Sequence, residues 1–320
     1  MLAAYIDRLG PAAQIRHGPV PEPRPGPTDV LVEVIATTVN PVDTFVRSGV
    51  FATPMDFPFV IGRDLVGRVA EAGAGFGEGE LVWCNSLGHG GRQGAAAERA
   101  VVPAERLYRL PGGVDPIEAV AVVHPGATAY LALFTHGDLH PGETVLVLGG
   151  GGNVGSALIT LAVEAGATVV ATASARDIEH CRSLGAAEVF DYRDPSSADR
   201  LRGLGGVDLH LDSSGTNDLD LAVDLLAFRG RVVLLAGARS TPVLPAGRLY
   251  MKDCSIRGFV ISHATSAELA EAAVALNRLM ATGRLRPRAV ERFPLTAAAS
   301  VHTRLERGEL RGRRAVLIPG

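Results

Sequence analysis

Gly149-Gly150-Gly151-Gly152-Asn153-Val154-Gly155 follows an apolar run at 144–148 and opens a segment of helical spacing. Gly150, Gly152 and Gly155 fit the pattern G-x-G-x-x-G. In that pattern the first glycine allows a sharp turn. The second lets the backbone approach a pyrophosphate, and the third lets the helix pack close to the strand. Free N–H groups at the helix start, at Asn153 and Val154, then face the anion with the help of the helix dipole. A tight turn without a ligand is the alternative reading. A strand, a helix and a second strand at the right distances favour a dinucleotide.

An NAD-preferring site usually carries an acid at the end of the second strand, where it holds the ribose 2′-hydroxyl. Here that region reads Thr172-Ala173-Ser174-Ala175-Arg176. Ser174 can hydrogen-bond a 2′-phosphate and Arg176 can pair with it, so NADPH is the expected cofactor. Arg176 is otherwise a solvated helix start, and Asp177 beside it works against the pairing. Tyr192, just after the third strand, either adds a hydroxyl from the other side or packs with its hydroxyl in water.

These residues need a scaffold. From about residue 116 the pattern alternates: strands at 144–148, 168–172, 188–190, 207–211, 231–235 and 255–260, with helices at 153–165, 175–184, 218–227 and 266–282 between and after them. Ser266 is the expected N-cap of the last helix. Such alternation implies a doubly wound parallel sheet. Residues 116–135 read as an Ala-rich helix interrupted at Pro125-Gly126. The first third has short β-branched runs (30–35, 65–70, 81–83) between glycine and proline turns, as in a small barrel-like β domain. The tail at 315–318 is one more strand, expected to return to that domain. The expected organisation is a β-rich domain of residues 1–115, completed by 287–320, and a dinucleotide-binding domain of 116–286.

Composition narrows the function classes. With 20% charged residues, a net charge of -3 and no basic run, nothing points to nucleic acid. No apolar run is read as reaching the ~20 residues that span a bilayer. The N-terminus lacks the pattern of a secretory signal. Three distant cysteines, Cys84, Cys181 and Cys254, fit free thiols in a reducing cytoplasm rather than a disulfide framework.

Five segments in order resemble the zinc-free medium-chain dehydrogenase/reductases of the zeta-crystallin-like quinone oxidoreductase family. Asn40-Pro41-Val42-Asp43-Thr44-Phe45-Val46-Arg47-Ser48-Gly49 is similar to N-P-V-[DE]-x-[YF]-x-R-x-G. The others are 58–67 (P-x-x-x-G-x-D-x-x-G), 126–130 (G-x-T-A-Y), 212–215 (D-x-x-G) and 308–313 (G-x-x-x-G-K/R). The resemblance implies a GroES-like catalytic domain, a Rossmann domain, an active site in the cleft between them, and a homodimer paired along the sixth Rossmann strand. It places Thr128, Ala236, Gly237, Phe259 and Val260 around the nicotinamide and Ser214 under the adenine or ribose edge.

Zinc members of this superfamily have a cysteine where Asn40 stands and Gly-His-Glu where Gly62-Arg63-Asp64 stands. An amide is a poor zinc ligand and a guanidinium is none. His124, His136, His140 and His210 are scattered and read as surface or capped residues, so no metal is expected. Without a Lewis acid, a hydride from NADPH suits an acceptor that spreads charge onto oxygen, a quinone or an α,β-unsaturated carbonyl. Enoyl thioester reduction is an alternative, and a non-catalytic NADPH-binding sensor or structural protein is another. Asn40 either holds the cofactor, donates to the acceptor oxygen, or bonds the local backbone. Phe45 stands where many relatives carry tyrosine; it can stack on a ring but gives no proton, which leaves solvent as the source. Arg63 and Asp64 are either acid–base groups or an ion pair between domains.

Overall fold

Short β-branched runs broken by glycine and proline become the antiparallel strands of the first part of the chain. The computed structural model describes residues 1–320. In chain order it contains β1 (Leu2–Ile6), β2 (Arg16–Pro19), β3 (Asp29–Thr38), α1 (Pro41–Ser48), β4 (Phe59–Val60), β5 (Leu65–Val69), β6 (Leu81–Cys84), β7 (Arg99–Pro103), β8 (Tyr108–Arg109) and α2 (Pro116–Tyr130). Then come β9 (Thr144–Leu148), α3 (Asn153–Glu164), β10 (Thr168–Ala173), α4 (Ile178–Ser183), β11 (Glu188–Asp191), α5 (Ser197–Arg202), β12 (Val207–Asp212), α6 (Leu219–Leu225), β13 (Leu226–Leu234), α7 (Ala246–Met251) and β14 (Ser255–Gly258). The chain ends with α8 (Ser266–Ala281), β15 (Val290–Pro294), α9 (Ala298–Glu306) and β16 (Arg314–Ile318).

Two units result, residues 1–124 with 265–320 and residues 125–264. Helix α8 therefore groups with the first unit, where Asn277 Oδ1 accepts from Trp83 Nε1 at 3.0 Å. In that unit the strand order β15-β16-β3-β5-β6-β8 forms one sheet, with β7 also on β3, and β2-β1-β4 forms a second. The tail strand β16 pairs with β3 through Val316–Thr38 and Leu317–Thr37, returning to the first domain as expected. Its core joins Ile6, Val46, Phe59, Ile61, Val301 and Leu317.

The second unit holds six strands in the order β11-β10-β9-β12-β13-β14, all parallel. That is the doubly wound order, reversing between β9 and β12, and it bears out the α/β expectation. Leu158, Ile159 and Leu161 of α3 are buried, each worth about 1.5–3 kcal/mol of apolar burial.

Three local expectations are corrected. Helix α2 runs unbroken through Pro125 and continues as a π-helical turn at Leu131–Thr135. A proline costs about 3 kcal/mol inside a helix, but Val120, Ala121, Val123, Ala127 and Ala129 are buried around it. The stretch 116–135 is thus long and apolar enough, by length and composition, to cross a membrane, against the sequence reading; its most apolar window is 72% buried, as in a core helix. Finally, Thr265 rather than Ser266 caps α8, exchanging hydrogen bonds with Glu268.

Candidate functional site

The turn after β9 is built around its glycines. Gly149, not Gly150, takes the left-handed conformation, with φ 79°, so the sharp turn expected at Gly150 belongs one residue earlier. Gly150 is small for a packing reason: a Cβ there would lie 3.1 Å from Cys181 Sγ and 3.2 Å from Ala171 Cβ. At Gly155 a Cβ would lie 2.2 Å from the Gly149 carbonyl oxygen, which forces the close approach of α3 to the turn. At Gly152 a Cβ would meet only the Gly149 oxygen, at 3.3 Å. Gly152 therefore leaves the helix start, with Asn153 and Val154 as its first residues, open to an anion. This cradle fits a pyrophosphate.

At the end of β10, Ser174 and Arg176 face a neighbour. Ser174 Oγ donates to Asp177 Oδ2 at 2.5 Å, and Arg176 Nε lies 3.5 Å from the same oxygen. Asp177 also packs on the glycine turn, since a Cβ on Gly151 would lie 2.7 Å from its Cβ. Tyr192 follows β11, is 52% exposed, and has the Arg193 guanidinium 5.4 Å from its ring centre.

Across the switch point, Asp212 organises the loop after β12. Its Oδ1 accepts from Ser214 N at 2.7 Å and Ser214 Oγ at 2.6 Å, and its Oδ2 from Asn217 N at 2.6 Å. Ser213 Oγ donates to the Leu148 carbonyl at 2.7 Å and ties this loop to β9. Asn217 Nδ2 donates to the Ala236 carbonyl at 3.0 Å, holding Ala236 and Gly237 beside the same loop. Phe259 stacks on His136 with ring centres 4.5 Å apart, and Val260 next to it is 39% exposed. Thr128 lies buried on α2. Apart from Thr128 on α2, the predicted residues of this unit thus follow the carboxyl ends of β9, β10, β11, β12, β13 and β14.

The first unit contains a buried polar network that the sequence did not announce. Asp64 Oδ2 accepts from Thr38 Oγ1 at 2.6 Å and from Asn40 Nδ2 at 2.7 Å, and Asp64 Oδ1 lies 2.8 Å from His124 Nδ1. Arg314 Nη2 donates to Asn40 Oδ1 at 2.9 Å and to Thr38 Oγ1 at 3.0 Å. Asp43, on α1, accepts from Asn40 N at 2.7 Å. Burial, reinforced by the Asp64 charge, pushes the Asp43 carboxyl up to about 6. Burial would raise Asp64 as well, but His124, Thr38 and Arg314 outweigh it and hold Asp64 below the usual carboxylate range. The Asn40 side chain therefore bonds Asp64 and Arg314, and Asn40 also caps α1 in a capping box with Asp43. Phe45, on the same helix, is 36% exposed.

These donors do not fit zinc. Two buried guanidiniums, Arg63 and Arg314, already balance the two buried carboxylates, Asp43 and Asp64. A dication would add charge to a neutralised site. Nowhere do three or more His, Cys, Asp or Glu side chains assemble into a ligand set.

Two of the four histidines correct the sequence reading, since His124 is buried against Asp64 and His210 is buried within β12. His140 is exposed as read, and His136 is half-buried and stacks on Phe259. Asp64 belongs to the P-x-x-x-G-x-D-x-x-G segment at 58–67, but Arg314 stands 274 residues from Asn40, and no local pattern links them.

Known proteins share this architecture. The sequence profile of the family described as "Alcohol dehydrogenase GroES-like domain" matches residues 26–112, and that described as "Zinc-binding dehydrogenase" matches residues 153–277. The quinone oxidoreductase of Lama guanicoe is 30% identical over 316 residues, covering 97% of this chain and 94% of its own. The human quinone oxidoreductase is 30% identical over 306 residues, covering 93% and 92%. Among solved structures, a mycobacterial quinone oxidoreductase superposes with a TM-score of 0.87 at 29% identity over the whole of both chains. One described as an NAD-dependent alcohol dehydrogenase gives 0.89, also at 29% identity over both whole chains. With 30% identity to these enzymes over nearly the full length of both chains, and with guanidinium and amide groups where zinc relatives place ligands, the chain belongs to the quinone oxidoreductase family of the zinc-free medium-chain dehydrogenase/reductases.

Proposed function

We propose that this chain is a zinc-independent oxidoreductase that passes a hydride from NADPH to a quinone or another α,β-unsaturated carbonyl compound. The observation that carries the reading is the Gly149–Gly155 turn, where α3 approaches so closely that Gly155 has no room for a Cβ. The names of the relatives support the acceptor class, and a mycobacterial relative of 29% identity solved with NADPH supports the cofactor.

Each residue then has a role. The N–H groups of Asn153 and Val154, with Gly150 and Gly152 giving access, hold the pyrophosphate. Ser174, Arg176 and Tyr192 reach the 2′-phosphate end, and Ser214 lies under the ribose edge. Thr128, Ala236, Gly237, Phe259 and Val260 surround the nicotinamide. Asn40, locked by Asp64 and Arg314, keeps one fixed amide orientation for cofactor or acceptor. Phe45 stacks on the acceptor ring, and solvent delivers the proton. The acceptor's own conjugation spreads the developing charge onto oxygen, so the residues need only orient and desolvate it. Cys84, Cys181 and Cys254 form no disulfide, which fits the cytoplasm. Pairing of two copies along β14, which ends the six-stranded sheet, completes the reading as a homodimer; light scattering at twice the chain mass tests it.

The enzymatic test is direct. Purified protein mixed with NADPH and 1,4-benzoquinone is expected to consume the nicotinamide absorbance. Turnover of crotonyl thioesters alone would move the assignment to an enoyl reductase. NADPH bound without turnover on any acceptor would sink the enzymatic reading.

A further inference from the structure

We infer that Asp177 occupies the seat of the cofactor's 2′-phosphate and sets the balance between NADH and NADPH, so that both are used. This inference rests on the reading of the glycine turn as a dinucleotide site. Three observations place the carboxylate there. Asp177 Oδ2 takes the Ser174 hydroxyl at 2.5 Å. The same oxygen lies 3.5 Å from Arg176 Nε. A Cβ on Gly151 would lie 3.0 Å from that oxygen, which sets it beside the phosphate turn itself.

The consequence is one of competition. Ser174 and Arg176 are the hydroxyl and the guanidinium that a 2′-phosphate would use, and both already serve an internal anion. The Arg176 side chain is 67% exposed while that of Asp177 is only 13% exposed, so the guanidinium can swing away and the carboxylate stays. A 2′-phosphate must therefore displace a carboxylate from Ser174 and then bear its repulsion at short range. A 2′-hydroxyl meets no such obstacle and can donate to Asp177, as an acid about 20 residues beyond the glycine motif does in NAD sites. Asp177 stands 22 residues after Gly155. It lies one helical turn beyond the strand end where such an acid is usually sought, which is why the strand-end residues alone suggest NADPH.

Dissociation constants for NADPH and NADH, measured by titration calorimetry on the wild type, Asp177→Asn and Arg176→Ala, test the inference. The wild type is expected to bind the two dinucleotides within about tenfold of each other. Asp177→Asn removes the competing charge and keeps the side-chain shape, so the ratio should move toward NADPH by about tenfold or more. Arg176→Ala, at an exposed position that leaves folding untouched, should weaken NADPH and spare NADH. A ratio unchanged in Asp177→Asn, or a wild type preferring NADPH by more than about a hundredfold, overturns the inference. Because the ratio is read from binding, it is decided whether or not any acceptor is reduced. Failure of the wild type to bind either dinucleotide overturns this inference and the functional reading together.

Discussion

Asp64 Oδ1 lies 2.8 Å from His124 Nδ1, with the two side chains 0% and 8% exposed. The other Asp64 oxygen takes the Thr38 hydroxyl and the Asn40 amide. This carboxylate bonds Thr38, Asn40 and His124 at once, and its removal leaves those buried polar groups short of a partner and takes from Arg314 one of its two counter-charges, Asp43 being the other. Asp64→Ala is expected to destabilise the protein by about 3–5 kcal/mol. Asp64→Asn can turn its NH2 toward a His124 tautomer that accepts, so its cost should be smaller, about 1–3 kcal/mol. Urea unfolding of both variants checks the ranking; equal losses would argue against the network.

Two buried groups give opposite pH slopes. Asp43, raised by burial and by Asp64, titrates at about 6 in the fold against ~3.9 unfolded. The folded state holds the extra proton, so its contribution is present below about pH 4 and is lost as pH rises through 6. His210 is pushed down by burial, against the pull of Asp212 and Asp218, to about 4, compared with ~6.5 unfolded. Its contribution is present above about pH 6.5 and is lost as pH falls through 4. Relative to wild type, Asp43→Asn should gain up to about 3 kcal/mol between pH 4 and 7, and His210→Leu should lose less stability toward acid. Denaturant unfolding across that range reads both; curves parallel to wild type would refute the assignment.

The glycine turn separates packing from access. Gly155→Ala drives a Cβ to 2.2 Å from a backbone carbonyl, so both stability and dinucleotide affinity should fall, stability by about 1–3 kcal/mol. Gly152→Ala meets a single atom at 3.3 Å and should melt near the wild-type temperature while weakening NADPH by about tenfold or more. Melting curves paired with calorimetric titration check this. Loss of stability at Gly152 as large as at Gly155 would mean that both positions serve packing.

Arg231 clamps the second unit at the amino end of its sheet. It forms a bidentate pair with Glu143, at 2.8 and 2.7 Å, and donates from Nε to the Gly137 carbonyl at 2.7 Å. The Arg231 hydrogen bonds outweigh partial burial and hold Glu143 below its ordinary pKa. Arg231→Lys keeps the charge but loses the fork and should cost about 1–2 kcal/mol. Thermal unfolding measures it, and a loss that disappears at high salt would identify a purely screened surface pair.

Strand–helix alternation, the glycine spacing and the ordered motifs were written locally, and they determined the doubly wound sheet, the place of the dinucleotide turn and the family. These follow from periodicity and from steric rules acting over a few residues. What tertiary structure decided lies where distant groups meet. Burial keeps α2 helical through Pro125, and close packing moves the left-handed residue of the turn to Gly149. Asp177 folds back onto Gly151 to take Ser174 and Arg176. Asn40 is held between Asp64 and Arg314, and His124 closes the same network from another element. A buried charge must be balanced by whatever the fold brings within a few ångströms, and separation along the chain says nothing about which group that will be.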